Sequence, residues 1–396
     1  MTERVAGEVV DVDGGKRGGD DGEGKHVDAG ARLHLRQRAD LDGSQVQLNA
    51  LSQPEGGRDA SDETEAGVRW WQSPPRLSGG KEDVIQALLT HGVVIVVALA
   101  SVATVMGYVA RRAWLCELAS HFRVQYAWVL LAGATWLAVN ARRSTALVTV
   151  GFALANLSTI APLCLPRRAR RSRRTFRVLL ANVCFSNHAY ESVRQFIRET
   201  NPDVVLLEEI NRAWLAALKG LAAEYPSSRA IERRGGFGIA LFSRLPCERI
   251  DVVRFGKVPI PSLVGRFLLD GQRLTVIGTH PWSPVSPEYT RLRNQHLEGL
   301  AMYVAEQPVP LIVLGDLNIT SWSPVFQDLL RLGNLQDSRV GFGVQPTWPT
   351  AVPLARIPID HCLVSSDVVV HRRSVGPPVG SDHYPIVVDV SLASDP

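Results

Sequence analysis

The chain has 396 residues, 43 Lys/Arg against 39 Asp/Glu, and a formal net charge of +4. That length allows two domains, or one large domain with extensions. The mild basicity argues against a protein that coats nucleic acid through charge alone. Cys116, Cys164, Cys184, Cys247 and Cys362 are widely spaced, odd in number and free of any C-x-x-C pair. They argue against a disulfide framework or a zinc site, and read as small apolar side chains inside a core.

In chain order the charge falls into three unlike pieces. Residues 1–83 carry 11 Lys/Arg and 17 Asp/Glu, with few aromatics before Trp70 and no sustained apolar period. Such a stretch buries too little apolar surface to offset its ordering entropy, so it reads as a disordered polar tail. It has no early apolar core of the signal-peptide kind. Residues 84–174 carry 11 Lys/Arg and a single acid, Glu117. The remainder is neutral, with 21 residues of each sign. The net positive charge therefore belongs to the middle piece and supplies no basic groove to the C-terminal one.

Within the middle piece, residues 84–110, 124–141 and 144–166 are without Asp, Glu, Lys or Arg. Each run is long enough, at about 1.5 Å per residue, to cross or nearly cross a hydrocarbon core of about 30 Å. Arg111, Arg112, Arg123, Arg142 and Arg143 fall in the gaps, and Tyr126 and Trp128 stand where interfacial rings would. We read three transmembrane helices across 84–166; the other account is a buried helical hairpin of a soluble protein. An Arg-rich linker follows at 167–174, with six arginines in eight residues. The positive-inside rule would hold that run, and the domain behind it, on the cytoplasmic side.

Residues 175–396 open with a strand–helix–strand pattern. A buried strand is predicted over 177–183, a helix over 190–200 with Val193, Phe196 and Ile197 on one face, a stop at Asn201-Pro-Asp203, and a strand over 204–207. Further apolar runs lie at 239–242, 274–278, 311–314, 361–364 and 386–390, with helical patterns near 289–306 and 324–332. The alternation predicts sheets covered by helices. Polar residues that bind metal or phosphate recur where these runs finish: Asn182, Glu209, His280, Asp316, Asn318, Asp360, Asp382 and His383. Any one has a structural explanation as a cap, a turn or a satisfied core group. So many of them at separate strand ends indicate a catalytic rim.

The stretches Leu180-Ala-Asn-Val183, Pro202-Asp-Val-Val-Leu-Leu-Glu-Glu209, Gly278-Thr-His-Pro281, Gly315-Asp-Leu-Asn318, Ile359-Asp-His-Cys-Leu-Val364 and Gly380-Ser-Asp-His383 resemble the ordered motifs of the endonuclease/exonuclease/phosphatase superfamily. Gln345-Pro-Thr-Trp-Pro349, Ile357-Pro-Ile-Asp360 and the apolar N-terminal runs resemble a membrane-anchored bacterial branch that includes actinobacterial proteins linked to glycopeptide resistance. The resemblance implies a four-layered α/β sandwich, two packed β-sheets flanked by helices, with the site at one edge. It implies that Glu209 binds Mg²⁺ or Mn²⁺, with Asn182 beside the metal or on a phosphate oxygen. Asp316 would orient or deprotonate water, and Asn318 would donate to charge developing on phosphorus. His383, held by Asp360, would stabilise the transition state or serve as acid–base. Asp382 is assigned to a second metal or to a structural hydrogen bond. His280 is assigned to phosphate or the leaving oxygen, with a structural histidine as the other account.

Where many members of that family have Gln, this chain has Glu208; strand alternation turns Glu208 and Glu209 to opposite faces, and the motif register favours Glu209. Arg291 and Asn294, on the helix after the His280 loop, are candidate substrate contacts, while Arg293 reads as part of a solvated face. Trp282, Trp322 and Trp348 read as loop packing or as an apolar rim. The implied activity is a membrane-anchored, metal-dependent phosphoesterase acting on a phosphate ester or anhydride, with a lipid-linked envelope substrate. The alternatives are a membrane-associated nuclease and a catalytically silent membrane scaffold. The implied location is a bacterial plasma membrane. The Arg run argues for a cytoplasmic catalytic domain; the resistance-linked relatives argue for the outer face, which suits a lipid-phosphate substrate and is preferred.

Overall fold

The structure is a computed structural model that describes residues 80–166, 175–256, 259–269 and 271–393. The polar tail, apart from its last few residues, and the Arg-rich run at 167–174 lie outside the described residues.

Among the described residues four helices come first: α1 (Lys81–Tyr108), α2 (Trp114–Ser120), α3 (Arg123–Val139) and α4 (Arg143–Cys164). The three uncharged runs are thus helical, and α2 is an additional short helix that the uncharged-run pattern does not foresee. Two of them, α1 and α4, are long and apolar enough to cross a membrane. The pair α2 and α3, bent by 69° at the break between them, makes a third span if counted as one. Between the helices small residues sit among Val97, Leu130 and Leu137. Ala100, Gly107, Ala127, Gly133, Ala134, Ala146 and Ala153 face the other helices. Leu99, Val139, Leu147 and Val148 are exposed, Val139 by 81%. A Cβ on Gly133 would stand 2.3 Å from Val97 Cγ2, so only glycine allows α1 and α3 to lie this close. Gln86 of α1 donates to Asn140 after α3, while Tyr108 at the other end of α1 donates to the Ala155 carbonyl of α4. Helix α3 therefore runs antiparallel to both α1 and α4, and the end of α1, the start of α3 and the end of α4 share one side.

Among the described residues the remaining chain builds twelve strands. They are β1 (Phe176–Asn182), β2 (Val204–Glu208), β3 (Ser227–Ile231), β4 (Ile239–Ser243), β5 (Cys247–Val253), β6 (Ser262–Leu269), β7 (Gln272–Gly278), β8 (Leu311–Asp316), β9 (Gln336–Asp337), β10 (Asp360–Val364), β11 (Val368–Val375) and β12 (Ile386–Leu392). Helices α5 (Tyr190–Thr200), α6 (Arg212–Ala217), α7 (Leu221–Glu224), α8 (Pro287–Ala305) and α9 (Pro324–Leu332) connect them. One six-stranded sheet has the order β11-β12-β1-β2-β4-β3, the other β5-β6-β7-β8-β10-β9. In each, one central pair is parallel, β1 with β2 and β7 with β8.

Side-chain alternation fixes the layers. Leu180, Leu206, Val276, Leu314 and Cys362 meet between the two sheets. Their neighbours Leu179, Val205 and Leu207 turn outward to Val193, Ile197 and Trp214 of α5 and α6. Ile277 and Val313 turn outward to Leu297, Leu300 and Phe326 of α8 and α9. Both faces of the central strands are covered, which is why these runs are continuously apolar. Two packed mixed sheets flanked by helices result, as the resemblance implies. Of the five cysteines, all free, only Cys362 is buried and Cys164 is exposed. The expectation of five core cysteines fails because Cys116 and Cys164 stand on the helical bundle and Cys184 and Cys247 at strand ends or edges.

Candidate active site

The same alternation carries polar groups to one end of the inter-sheet space. Asn182 follows Leu180 by two residues, Glu208 follows Leu206, Asp316 follows Leu314, and Asp360 precedes Cys362. All four therefore face the partner sheet at the strand ends. Register sets them side by side: Asn182 is opposite Glu208 in the parallel pair, and Asp360 is opposite Asp316 in the antiparallel pair. Gly315 permits this crowding, since a Cβ there would meet the Thr279 carbonyl oxygen at 1.9 Å and Glu208 Oε1 at 3.2 Å.

Asp316 is the hub. Its Oδ2 lies 3.5 Å from His280 Nε2 and 3.6 Å from His383 Nε2, and accepts from Asn182 Nδ2 at 3.2 Å. Its Oδ1 accepts the Asn318 N–H at 2.9 Å. His383 turns Nδ1 to Asp360 Oδ2 at 3.0 Å. Burial disfavours the imidazolium of His383, but the carboxylates of Asp360 and Asp316 outweigh it and lift its pKa to about 10. His280 goes the other way, since burial and the nearby His383 charge push it down to about 4. The two imidazoles that flank Asp316 therefore differ at neutral pH, His383 protonated and His280 neutral.

The Glu208–Glu209 pair resolves by backbone geometry. Glu208 is fully buried beneath the cluster, where Oε2 accepts the Asp316 N–H at 2.9 Å. Burial, then the Asp316 charge, raises its carboxyl well above the usual range. Glu209 lies one residue past the strand with φ 64, a left-handed conformation that swings its side chain back to the rim. There Oε1 accepts from Asn182 Nδ2 at 3.0 Å and Oε2 accepts the Phe185 N–H at 3.0 Å. Burial raises Glu209 as well.

Crowded, partly desolvated carboxylate oxygens form the donor set a hard divalent cation takes, so Glu209 and Asp316 fit such an ion. Asn182 presents its amide N–H rather than its oxygen to these carboxylates, because Oδ1 accepts the Cys184 N–H at 3.0 Å. Asp316, Asp360 and His383 also bring ligand atoms within 4.8 Å of one another. The His383–Asp360 hydrogen bond already uses one atom of each, which favours a proton relay over a metal cage.

Asn318, with φ 52, bridges to the His280 loop: Nδ2 donates to the Pro281 carbonyl at 3.1 Å and Oδ1 accepts from Ser283 Oγ at 2.9 Å. Asp382 stands exposed at the rim, where Oδ2 accepts from Trp348 Nε1 at 3.0 Å. Trp282 stacks on Tyr289, and Trp322 packs against Ala127, Ile160 and Leu163 of the bundle. The structure thus brings Asn182, Glu209, His280, Asp316, Asn318, Asp360, Asp382 and His383 to one rim. Arg291 is exposed and makes no hydrogen bond or ion pair with another described residue. Asn294 Oδ1 accepts from Arg293 Nε at 3.0 Å. Arg293 lies on no solvated face: it is fully buried and paired with Glu117. Residue spacing could not reveal Ser381, whose hydroxyl donates to the Asn182 carbonyl at 2.7 Å and accepts the His383 N–H at 3.0 Å. It ties the histidine to the end of β1, and its place in the Gly380–His383 stretch is the signal that could have marked it.

Two face-to-face mixed sheets with an acid–imidazole cluster at one edge define an α/β sandwich of the DNase I-like kind. The chain belongs to the Endonuclease/Exonuclease/phosphatase family, whose model matches residues 179–383; its members are hydrolases acting on phosphate esters. Among solved structures, a D. rerio TDP2 complexed with single-strand DNA product is similar over 56% of this chain and 100% of its own, at 18% identity and a TM-score of 0.48. An endonuclease/exonuclease/phosphatase from Beutenbergia cavernae is similar over 56% of this chain and 72% of its own, at 20% identity and a TM-score of 0.47. The human Nocturnin catalytic domain with bound sulfate is similar over 57% of this chain and 97% of its own, at 18% identity and a TM-score of 0.47. No curated protein matches the chain.

Proposed function

We propose that this chain is a membrane-anchored, divalent-metal-dependent phosphoesterase that cleaves a phosphate ester or anhydride, with a lipid-linked substrate presented at the bilayer surface. The observation that carries the reading is Asp316 Oδ2 between two imidazoles, at 3.5 Å and 3.6 Å, with Asp360 behind one of them. Asp316 accepts a proton from the attacking water. Protonated His383, held in orientation by Asp360, donates to a phosphoryl oxygen and balances charge in the transition state. Neutral His280 donates an Nε2–H hydrogen bond to a phosphoryl oxygen, and the proton taken up by the leaving oxygen comes from His383. Asn318 and Asn182 supply amide N–H groups to the same centre. Glu209, with Asp316, would hold Mg²⁺ or Mn²⁺, which supplies Lewis-acid stabilisation of the phosphoryl oxygens. Asp382, whose Oδ2 accepts from Trp348, would add a second ion through its Oδ1.

The membrane reading is supported by the outer surface of the bundle, where Leu99, Val139, Leu147 and Val148 stand exposed in a way that suits hydrocarbon rather than water. Three crossings would put Lys81 and Phe176 on opposite faces of the bilayer. A reporter fused after Pro396 reads which face holds the catalytic domain, and carbonate extraction of membranes tests integral insertion.

The test of the activity uses the full chain in detergent micelles with Mg²⁺, Mn²⁺ or EDTA. Its substrates are a polyprenyl pyrophosphate, a phosphodiester and single- and double-stranded DNA. Metal-dependent release of phosphate from the lipid, lost in Asp316→Ala and His383→Ala, is the expected result. Cleavage of DNA alone would replace the lipid reading with a nuclease. No turnover from a folded chain that binds metal would leave a silent scaffold.

A further inference from the structure

The helical bundle touches the catalytic sandwich at particular loops. Arg293 of α8 is fully buried, and it points two ways. Its Nη1 donates to the Asn318 carbonyl at 2.8 Å, and its Nη2 donates to Glu117 Oε1 of α2. Glu117 is the one acid between residues 84 and 174, and it too is buried. Ser323 Oγ reaches the same carboxylate oxygen at 3.4 Å. Beside this pair, His121 Nδ1 lies 3.0 Å from Thr320 Oγ1, and Trp114 Nε1 donates to the Pro284 carbonyl at 2.9 Å. The N–H groups of Gly341 and Gly343 both donate to the Leu163 carbonyl at the end of α4, each at 2.9 Å. The segments gripped from the helical side thus include the loop that carries Asn318, the loop that carries His280 and the turn at Gly341 and Gly343.

We infer that α2 is a positioning element of the active site, in which Glu117 acts through Arg293 to hold the Asn318 loop in its working geometry. The inference rests on the reading of Asn318 and Asp316 as parts of a hydrolytic centre. The physical case is that a buried guanidinium needs a counter-charge. With Glu117 present, Arg293 is neutralised and its remaining N–H groups are free to fix the Asn318 carbonyl and the Asn294 side chain. Asn318 sits at φ 52, and the Asp316 Oδ1 contact together with the Arg293 contact pins both sides of that residue. Without Glu117, an unpaired charge remains next to the loop, and water or a moved side chain must satisfy it. The helices before the sandwich are then part of the site, and a chain beginning at residue 175 lacks one of its supports.

The test uses the full chain in detergent micelles with two readouts. The first is hydrogen–deuterium exchange of peptides covering 317–323, with 204–208 as the internal control. The second is steady-state hydrolysis of bis(4-nitrophenyl) phosphate with Mg²⁺. Glu117→Gln keeps shape and an acceptor while removing charge. It is expected to raise exchange over 317–323 at least several-fold, leave 204–208 unchanged, and lower kcat about tenfold with KM within about twofold, since small misplacements of a catalytic group cost up to ~100-fold. Glu117→Asp restores charge and is expected to recover part of kcat. Should Glu117→Gln fail to fold, Thr320→Val removes the His121 contact isosterically and is expected to loosen the same peptide. Unchanged exchange over 317–323 in these variants, or an equal rise in both peptides, overturns the inference. Local loosening in a chain that, even unmutated, turns over neither this diester nor a polyprenyl pyrophosphate would uphold the positioning and sink the hydrolytic reading instead.

Discussion

His383 Nδ1 lies 3.0 Å from Asp360 Oδ2 with both side chains buried. A single hydrogen bond thereby fixes which nitrogen of the imidazole faces Asp316. Asp360→Asn would keep the shape but present an amide that competes for the wrong tautomer. Turnover is expected to fall about 100-fold or more, and the His383 pKa, followed by NMR of the imidazole, to drop from its raised value of about 10 toward the unperturbed range. A variant that keeps more than a third of wild-type turnover would show that the pair has no catalytic part.

Glu208 and Glu209 separate by experiment. Burial pushes the Glu208 carboxyl well above the usual range, and Glu208→Gln keeps its shape and an oxygen acceptor for the Asp316 N–H. Its unfolding midpoint is expected to stay within about 3 °C of the parent and its metal half-saturation unchanged. Glu209→Gln removes a rim charge, and the Mg²⁺ or Mn²⁺ concentration for half-maximal activity is expected to rise at least tenfold. The reverse pattern would transfer the ligand role to Glu208.

Acid should unfold the sandwich in a defined window. Burial opposes the charge of Asp337, but Arg339, bonded at 2.8 Å, outweighs it and holds the carboxyl at about 2. Burial, then the Arg339 charge, lowers His361 to about 3. Both folded-state values lie below their unfolded ones. The stabilisation is therefore present above pH 6.5 for His361 and above about pH 4 for Asp337, and is lost as pH falls through the folded values. Asp337 contributes on the order of 2 kcal/mol by this route. Urea midpoints measured from pH 7 to pH 3 should fall steadily in the parent. His361→Asn should flatten the upper part of that curve; an unchanged slope would refute the assignment.

The bundle's tight crossing gives a separate test. Gly133→Val places a branched side chain where even a Cβ would lie 2.3 Å from Val97 Cγ2. Overpacking of this kind costs about 1–3 kcal/mol. Thermal unfolding of the full chain in detergent is expected at a lower midpoint, with Gly151→Ala, where a Cβ meets nothing within 4 Å, as the tolerated control. Equal midpoints for the two would mean that α1 and α3 do not pack this closely.

Much of the sandwich was legible because its central strands are buried on both faces. Runs such as 204–207 and 311–314 are continuously apolar, stop at turn residues, and end on the polar groups of the rim. Edge strands were not legible: β5 carries Glu248, Arg249 and Asp251, and β11 carries His371, Arg372 and Arg373. A strand with one neighbour and one wet face has little apolar periodicity to read. The rim residues were found because motif order survives in sequence, whereas their mutual distances come from strand register between segments far apart in the chain.

The sequence by itself determined the three apolar helices, the alternation of strands and helices after residue 175, and the residue types gathered at strand ends, since each is a local matter of period, length and composition. Only the tertiary structure decided that Glu209 turns back to the rim through a positive φ, that Asp316 stands between two imidazoles of unlike charge, and that Arg293 is buried against Glu117. Those depend on which distant segments meet. Burial, the field of neighbouring charges and the pairing of a guanidinium are properties of the assembled interior, and no window along the chain contains them.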